Sequence, residues 1–238
     1  MAHVKRDQLI GLLHQVHNEQ ENLLAELPAA ERHAPSNWGK WAPKDMLAHI
    51  VFWEKRFLED CAQLDAEPRS SADFNELNRE NFERNAPRSY KEIYAEAERV
   101  FTELVAQVQQ RDDEELMQSD RYRRFNGNPF STRLINNSVT HMITHLVQFC
   151  DERGDVERAR RINEDGVQAA LAFDESPAFR GVTLYNLACF YSLHGERDRA
   201  VELLRASLPL RADLVEFSKQ DTDLIPLHDM PEYQALYN

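Results

Sequence analysis

The chain has 238 residues and a formal net charge of −13, from 28 basic and 41 acidic side chains. This charge excludes the basic surface that nucleic-acid binding requires, and it argues against attraction to anionic membranes. Hydrophobic residues make up 42% of the chain, and there are only seven glycines. The composition is therefore too apolar for a disordered protein and too poor in glycine for a Gly-rich phosphate-binding fold, and it favours an all-α fold.

The sequence shows no targeting or membrane segment. No stretch approaches the roughly 18 uninterrupted apolar residues of a membrane span, and the first residues lack an apolar secretory region of adequate length. Cys61, Cys150 and Cys189 lie far apart within predicted helices. Such spacing suits free thiols in a reducing compartment better than a disulfide framework. We therefore expect a cytoplasmic protein.

Four long amphipathic segments are predicted in the first 150 residues. Apolar residues recur at helical spacing in 4–27, 43–60, 90–108 and 134–149. Pro43 suits the first position of the second helix, and Ser89 with Glu92 forms a capping-box pattern before the third. A shorter helix is expected within 72–84. Four long helices joined by two long connections predict a four-helix bundle.

The remaining third of the chain contains an internal repeat. GDVERA at 154–159 is echoed by GERDRA at 195–200, and repeats at this distance are typical of stacked helical hairpins. Residues 183–208 resemble a tetratricopeptide repeat, and 146–175 resemble a degenerate first copy. We therefore expect two domains, 1–153 and 154–238. The tail is interpreted either as an appendage docked on the bundle and continuous with it, or as a concave surface that binds a protein partner.

Three histidines stand among apolar residues on helices that should pack together. His141 and His145 are four residues apart, so their side chains rise from one helix face, and His49 lies on the second helix. Three imidazoles can hold one metal ion and leave a coordination position open for water or substrate. The alternative is a hydrogen-bonded polar cluster in the core. His14 and His17, which are three residues apart, show that close histidine pairs also occur elsewhere in the chain.

Two short sequences resemble signatures of the DinB-like superfamily. WAPKDMLAHIVFWE at 41–54 resembles its second-helix signature, and NNSVTHMITH at 136–145 resembles its last-helix signature. The likeness covers about residues 4–150, and the segment before the last helix is most similar to the ClbS/DfsB branch. The resemblance implies a DinB-like four-helix bundle in which His49, His141 and His145 hold a divalent metal.

The same resemblance implies an activity. Because the superfamily includes thiol-dependent transferases and isomerases and a hydrolase of a reactive metabolite, we expect a metal-dependent hydrolase or transferase acting on a small electrophilic molecule. Zn, Ni or Fe would be the ion, and a low-molecular-weight thiol is a further cofactor candidate. Two alternatives stay open: a non-catalytic stress or interaction module braced by its metal, and metal-independent hydrolysis or sequestration of a genotoxic product. A homodimer is also a candidate, because bundle proteins often pair.

Other residues are candidates for supporting roles. Asn137 and Gln148 each lie about one turn from a candidate ligand, where they could accept its second ring N–H. Asp45 is expected at a helix N-terminus, and Glu54 on a solvated face or, if it turns inward, as a general base. Trp38, Trp41 and Trp53 could wall an apolar pocket, but tryptophans at such positions more often belong to the core. Four arginines flank the loop before the last helix: Arg121, Arg123, Arg124 and Arg133. They either receive an anionic substrate or thiol or balance local charge.

Overall fold

The computed structural model describes residues 4–32, 34–70 and 72–237. Within these ranges the regular structure is helical, and the only extended pairing is an isolated bridge between Asn37 and Lys40. The all-α prediction is confirmed. Across the same ranges, no helix combines the length and the apolar character needed to span a membrane.

Contacts divide the chain into two compact units, Met1–Ile162 and Asn163–Asn238. The predicted boundary at residue 153 and the predicted docking of the tail stay predictions. Each unit is therefore described by itself.

The first unit contains the bundle. Its helices are α1 Val4–Ala25, α2 Ala29–Arg32, α3 Pro43–Cys61, α4 Phe74–Asn85, α5 Tyr90–Gln109, α6 Asp113–Met117, α7 Phe130–Leu134 and α8 His141–Glu152. The four predicted long helices correspond to α1, α3, α5 and the helical run that ends in α8. These helices pack on one another, and Leu9, Leu47, Leu104 and Leu146 are fully buried where their apolar faces meet. The bundle therefore holds α3 and α8 side by side.

Local hydrogen bonds determine where α3 and α5 begin. Asp45 accepts a bond from the Ala42 backbone N–H at 2.9 Å, and Pro43 is the first residue of α3. At α5 the Ser89 backbone N–H donates to Glu92 at 2.8 Å, and the Glu92 N–H donates back to Ser89 Oγ at 3.3 Å. These side chains satisfy N–H groups that a helix start leaves unpaired. The Asp45 and capping-box predictions are confirmed, and α3 presents His49 within two turns of a fixed start.

The last bundle helix is irregular directly before its two histidines. After α7, residues Ile135–Thr140 form a π-helical segment, and α8 follows at His141 without a break. The helical run thus begins at Phe130, a turn earlier than the predicted start near Leu134. A π segment widens the helix locally and changes which side chains share a face, and such segments are frequent at functional sites.

The second unit continues the helical pattern. Helix α9 Val156–Phe173 contains the division between the units, and α10 Pro177–Leu193, α11 Arg197–Ser207, α12 Asp213–Ser218 and α13 Pro231–Gln234 follow. Helices α10 and α11 pack as a hairpin in the segment that resembles a tetratricopeptide repeat, with Ala188, Ala200 and Leu204 fully buried. The assignment to that repeat family stays a prediction. Pro177 is the first residue of α10, and the Ser176 side chain before it forms no capping hydrogen bond.

The repeated GD and GE sequences form the same turn. Gly154 and Gly195 have φ values of 76° and 79°, which favour glycine. The residue after each glycine donates its N–H to a carbonyl five residues earlier, Asp155 to Cys150 and Glu196 to Tyr191, both at 2.9 Å. This is the six-to-one hydrogen bond of a glycine helix cap. The internal repeat therefore marks two equivalent helix ends.

Candidate metal centre

His49 from α3 meets His141 and His145 from α8. The Nε2 atom of His141 lies 3.0 Å from Nε2 of His49 and 3.0 Å from Nε2 of His145. The three rings offer ligand atoms that all lie within 4.8 Å of one another. Packing of two helices distant in sequence has therefore brought together the three histidines that the sequence selected.

The nitrogen spacing fits a common cation. Metal–nitrogen bonds of about 2.1 Å at right angles place two nitrogens about 3.0 Å apart, and a tetrahedral arrangement places them about 3.4 Å apart. The separations of 3.0 Å match the first geometry. Hydrogen bonds alone satisfy the cluster poorly, because Nε2 of His141 has either one proton or one lone pair but faces two other nitrogens. A cation can accept a lone pair from all three rings.

Burial keeps these rings neutral. Desolvation lowers the pKa of His49 to about 3, with His145 and His141 as further causes. Desolvation followed by the proximity of His145 lowers the pKa of His141 to about 3. Burial also lowers the pKa of His145. Because only a neutral imidazole offers a free lone pair, protons compete weakly for this site at neutral pH.

The Nδ1 atoms, on the far side of each ring from the meeting Nε2 atoms, have few hydrogen-bond partners. Gln148 is close enough to His145 to raise the pKa of that ring against the effect of burial, so its predicted role as a partner of His145 stays a prediction. The Asn137 side chain does not take its predicted role, because its amide donates to the Trp53 carbonyl at 3.1 Å. The Asn137 backbone carbonyl approaches His141, but Nδ1 of His141 and Nδ1 of His49 have no well-formed hydrogen bond to the described residues. Gln148 is therefore the side chain best placed to orient one of the three rings.

The three histidines line a cavity of about 1300 Å³. Its wall contains five aromatic side chains, namely Trp38, Trp41, Trp53, Phe74 and Phe149. The Trp41 ring lies 5.2 Å from the His49 ring, and Trp38 is 43% exposed. The core interpretation of the tryptophans is therefore wrong, and the alternative that they wall a pocket is confirmed, because all three line the cavity that holds the histidines.

Comparison with known proteins identifies the family of this region. A family model described as the DinB superfamily matches residues 12–148, which is more than half of the chain. The chain belongs to the DinB superfamily. The matched region includes α3 and α8, the two helices that carry the histidines. No curated protein and no solved structure matches the chain.

The DinB bundle separates the four arginines that the sequence singled out. Three of them pair with carboxylates, as the charge-balance interpretation predicts: Arg121 with Glu115, Arg123 with Glu67 and Arg124 with Asp60. Arg133 instead lines the histidine cavity. The sequence could not predict which arginines form ion pairs and which one lines the cavity, because this depends on the carboxylates that other helices and loops bring close.

Glu54 lies in the interior of the DinB bundle. It is only 3% exposed, so the prediction of a solvated face is wrong, and burial raises its pKa to about 8. It is not among the residues that line the cavity, so its position does not support a role as general base. The sequence did contain a signal, because Ile50 lies four residues before it and Phe57 three residues after it on the core face.

Sequence reasoning missed a second cluster in the bundle, between α1 and α5. His17, Glu21 and Glu98 also place potential ligand atoms within 4.8 Å of one another. Nε2 of His17 lies 3.3 Å from Oε1 of Glu98, and the Tyr94 hydroxyl donates a hydrogen bond to Glu21. The four-residue spacing of His17 and Glu21 was the available signal, but only packing adds Glu98.

A third potential ligand group, also unforeseen, lies in the second unit. Cys189, Asp221 and Asp223 place ligand atoms within 4.8 Å of one another. Cys189 Sγ lies 3.7 Å from Asp221 Oδ2, to which the Tyr185 hydroxyl donates at 2.7 Å. Burial and the nearby aspartates raise the pKa of the Cys189 thiol, so the thiolate that a metal requires is disfavoured here.

Proposed function

We propose that the bundle holds a divalent metal ion at His49, His141 and His145 and serves as a metal-dependent hydrolase or thiol-dependent transferase for a small electrophilic metabolite. The observation that carries this proposal is the meeting of three Nε2 atoms, with separations of 3.0 Å from the central ring, on the wall of an open cavity. Zn, Ni and Fe are the candidate ions, because all three accept imidazole ligands.

The protein's own groups would position the ion and the substrate. When bound, the ion would supply a Lewis acid that activates water or a thiol. Gln148 lines the cavity beside His145, where its side chain would orient that ligand. Trp53 Nε1 donates to Asn78 at 3.0 Å, and Trp41 Nε1 donates to the Trp38 carbonyl at 3.1 Å, so the rings nearest the histidines are held in place. They offer an apolar surface that orients a substrate and limits the access of water.

The open cavity favours this proposal over a purely structural metal. A metal that only braced helices would need no space beside its ligands, whereas all three histidines line the cavity. Metal-independent hydrolysis or sequestration gives no reason for three imidazoles to converge. Both alternatives predict measurable differences from the proposed enzyme.

Elemental analysis of the purified protein tests the metal site. We expect about one transition-metal ion per chain, and loss of most of it in His49→Ala and in His145→Ala. His17→Ala is the matched control, because it removes a histidine from the same bundle without touching this site, and circular dichroism checks that each variant folds. Stoichiometric metal in both site variants would refute the proposal.

The products formed from an electrophilic probe distinguish the two reactions. Metal-loaded protein would be incubated with styrene oxide, with and without a low-molecular-weight thiol. A diol formed without thiol indicates a hydrolase, and a thioether indicates a transferase. Turnover that survives removal of the metal supports the metal-independent alternative, and stoichiometric metal without turnover of a range of electrophiles supports the non-catalytic one.

A further inference from the structure

Arg133 is the one member of the four-arginine group that forms no ion pair with a carboxylate of the described chain. Arg121, Arg123 and Arg124 each contact a glutamate or an aspartate. Arg133 is exposed, lines the cavity, and has its guanidinium carbon 6.0 Å from the centre of the Phe125 ring. Its hydrogen-bond donors are therefore not taken up by a carboxylate of the described chain.

The π-helical segment explains how Arg133 reaches the face of the histidines. Arg133 precedes His141 by eight residues, which in a regular α-helix would separate their directions by about 80°. A π turn acts as a one-residue insertion, and it reduces this separation to about 20°. Residues Ile135–Thr140 form such a segment between the two positions, and both side chains line the cavity. The irregular helix thus brings position 133 close to the helix face that carries His141.

The charges around the cavity favour an anion. The lining contains three basic side chains, Lys40, Arg133 and Arg153, and two acidic ones, Glu31 and Glu152. Arg153 forms an ion pair with Glu31, so these two charges compensate each other. The cavity therefore has an excess of positive charge in a protein whose net charge is −13. Neutral histidines would leave the charge of a bound cation uncompensated and increase this excess.

The aromatic wall favours a flat apolar body. The Trp41 ring stacks near Phe82 with centroids 6.3 Å apart and an interplanar angle of 19°, and Trp53 lies 5.6 Å from Phe74. Aromatic surfaces of this kind bind planar apolar groups, and polar groups at the edge of a cavity set their orientation.

We infer that the cavity takes small organic anions, namely carboxylates on a flat apolar body, and that Arg133 holds the carboxylate by a charge-assisted hydrogen bond. The inference deepens the proposed function, because it names the substrate class of the same cavity. It does not need the ion for binding, since the guanidinium and the aromatic wall belong to the chain itself.

Calorimetric titration with cinnamate and its uncharged analogue cinnamamide tests the inference. We expect the wild-type protein to bind cinnamate at least about tenfold more tightly, and Arg133→Gln to lose most of this preference while its affinity for cinnamamide is unchanged. Arg121→Gln is the matched control, because Arg121 pairs with Glu115 and does not line the cavity. Measurements on metal-free protein separate Arg133 from direct binding of the carboxylate to an ion.

The outcomes separate this inference from the metal proposal. Equal affinities for the two probes, a preference that survives in Arg133→Gln, or no detectable binding of cinnamate by folded protein would each overturn the inference. If His49→Ala loses its metal and still prefers cinnamate, both proposals are supported. If the wild-type protein binds no metal but shows the Arg133-dependent preference, only the metal proposal fails.

Discussion

The two histidine clusters of the bundle differ in what their members can offer each other. His49, His141 and His145 are three neutral bases whose Nε2 atoms face one another, with 3.0 Å separating the central ring from each neighbour. The second cluster instead combines His17 with Glu21 and Glu98, and the His17 ring lies 3.3 Å from Glu98. The first cluster therefore has too few protons for hydrogen bonds between all of its facing nitrogens. The second cluster contains a base that can be protonated and acids that can pair with it.

This difference shows why proximity of potential ligands does not by itself indicate a metal site. Burial lowers the pKa of His17, but Glu21 acts in the opposite direction, and burial together with Glu21 raises the pKa of Glu98. A proton shared between His17 and Glu98 therefore satisfies part of the second cluster without an ion. At His141 a single proton cannot satisfy both neighbours, so a cation completes the first cluster better.

The largest expected effect follows from the central position of His141. We expect His141→Ala to lower the affinity for zinc roughly a hundredfold or more, because it removes the ring that faces both other ligands. Competition with a chromophoric chelator measures this affinity. Glu98→Gln is the control from the second cluster and should change it little. An equal loss in both variants would show that the two clusters do not differ in the way argued above.

A smaller effect is expected for Glu54, a buried carboxyl whose pKa burial raises from 4.5 to about 8. Between these values the folded protein retains a proton that the unfolded chain releases, so the contribution of Glu54 to stability falls as the pH rises through this window. We expect Glu54→Gln to remove this penalty and to raise the free energy of unfolding on the order of 3 kcal/mol at about pH 8, with little change at about pH 5.

Urea unfolding at the two pH values measures this difference. Glu103→Gln is the control, because Glu103 is an exposed glutamate on α5. A stabilisation by Glu54→Gln that is the same at both pH values would mean that Glu54 is already ionised in the folded protein.

The smallest expected effect concerns the hydrogen bond from Tyr94 to Glu21 in the second cluster. We expect Tyr94→Phe to lower the free energy of unfolding by about 1 kcal/mol, because one partly buried hydrogen bond is lost. Metal content should stay at the wild-type value. A variant that loses metal together with stability would place the second cluster, and not the first, at the centre of metal binding.

The sequence by itself determined the features that depend on neighbours along the chain. Helical spacing identified the four bundle helices, and the capping pair Ser89 and Glu92 forms as expected. The repeated glycines Gly154 and Gly195 mark equivalent helix ends because their positive φ values are a local requirement. The four-residue spacing of His141 and His145 likewise places both rings on one face of α8, whatever packs against it.

Only the tertiary structure decided which faces meet and which remain open. Three tryptophans line a cavity instead of the core, Glu54 is buried, and Arg133 alone among four similar arginines lines the cavity. Each outcome depends on how α3, α4 and α8 lie relative to one another, and the π-helical segment changes which side chains of the last helical run share a face. Periodicity in the sequence predicts which residues share a helix face. What covers that face depends on contacts between segments that are distant in the chain. These contacts determine burial, charge pairing and the meeting of His49 with α8.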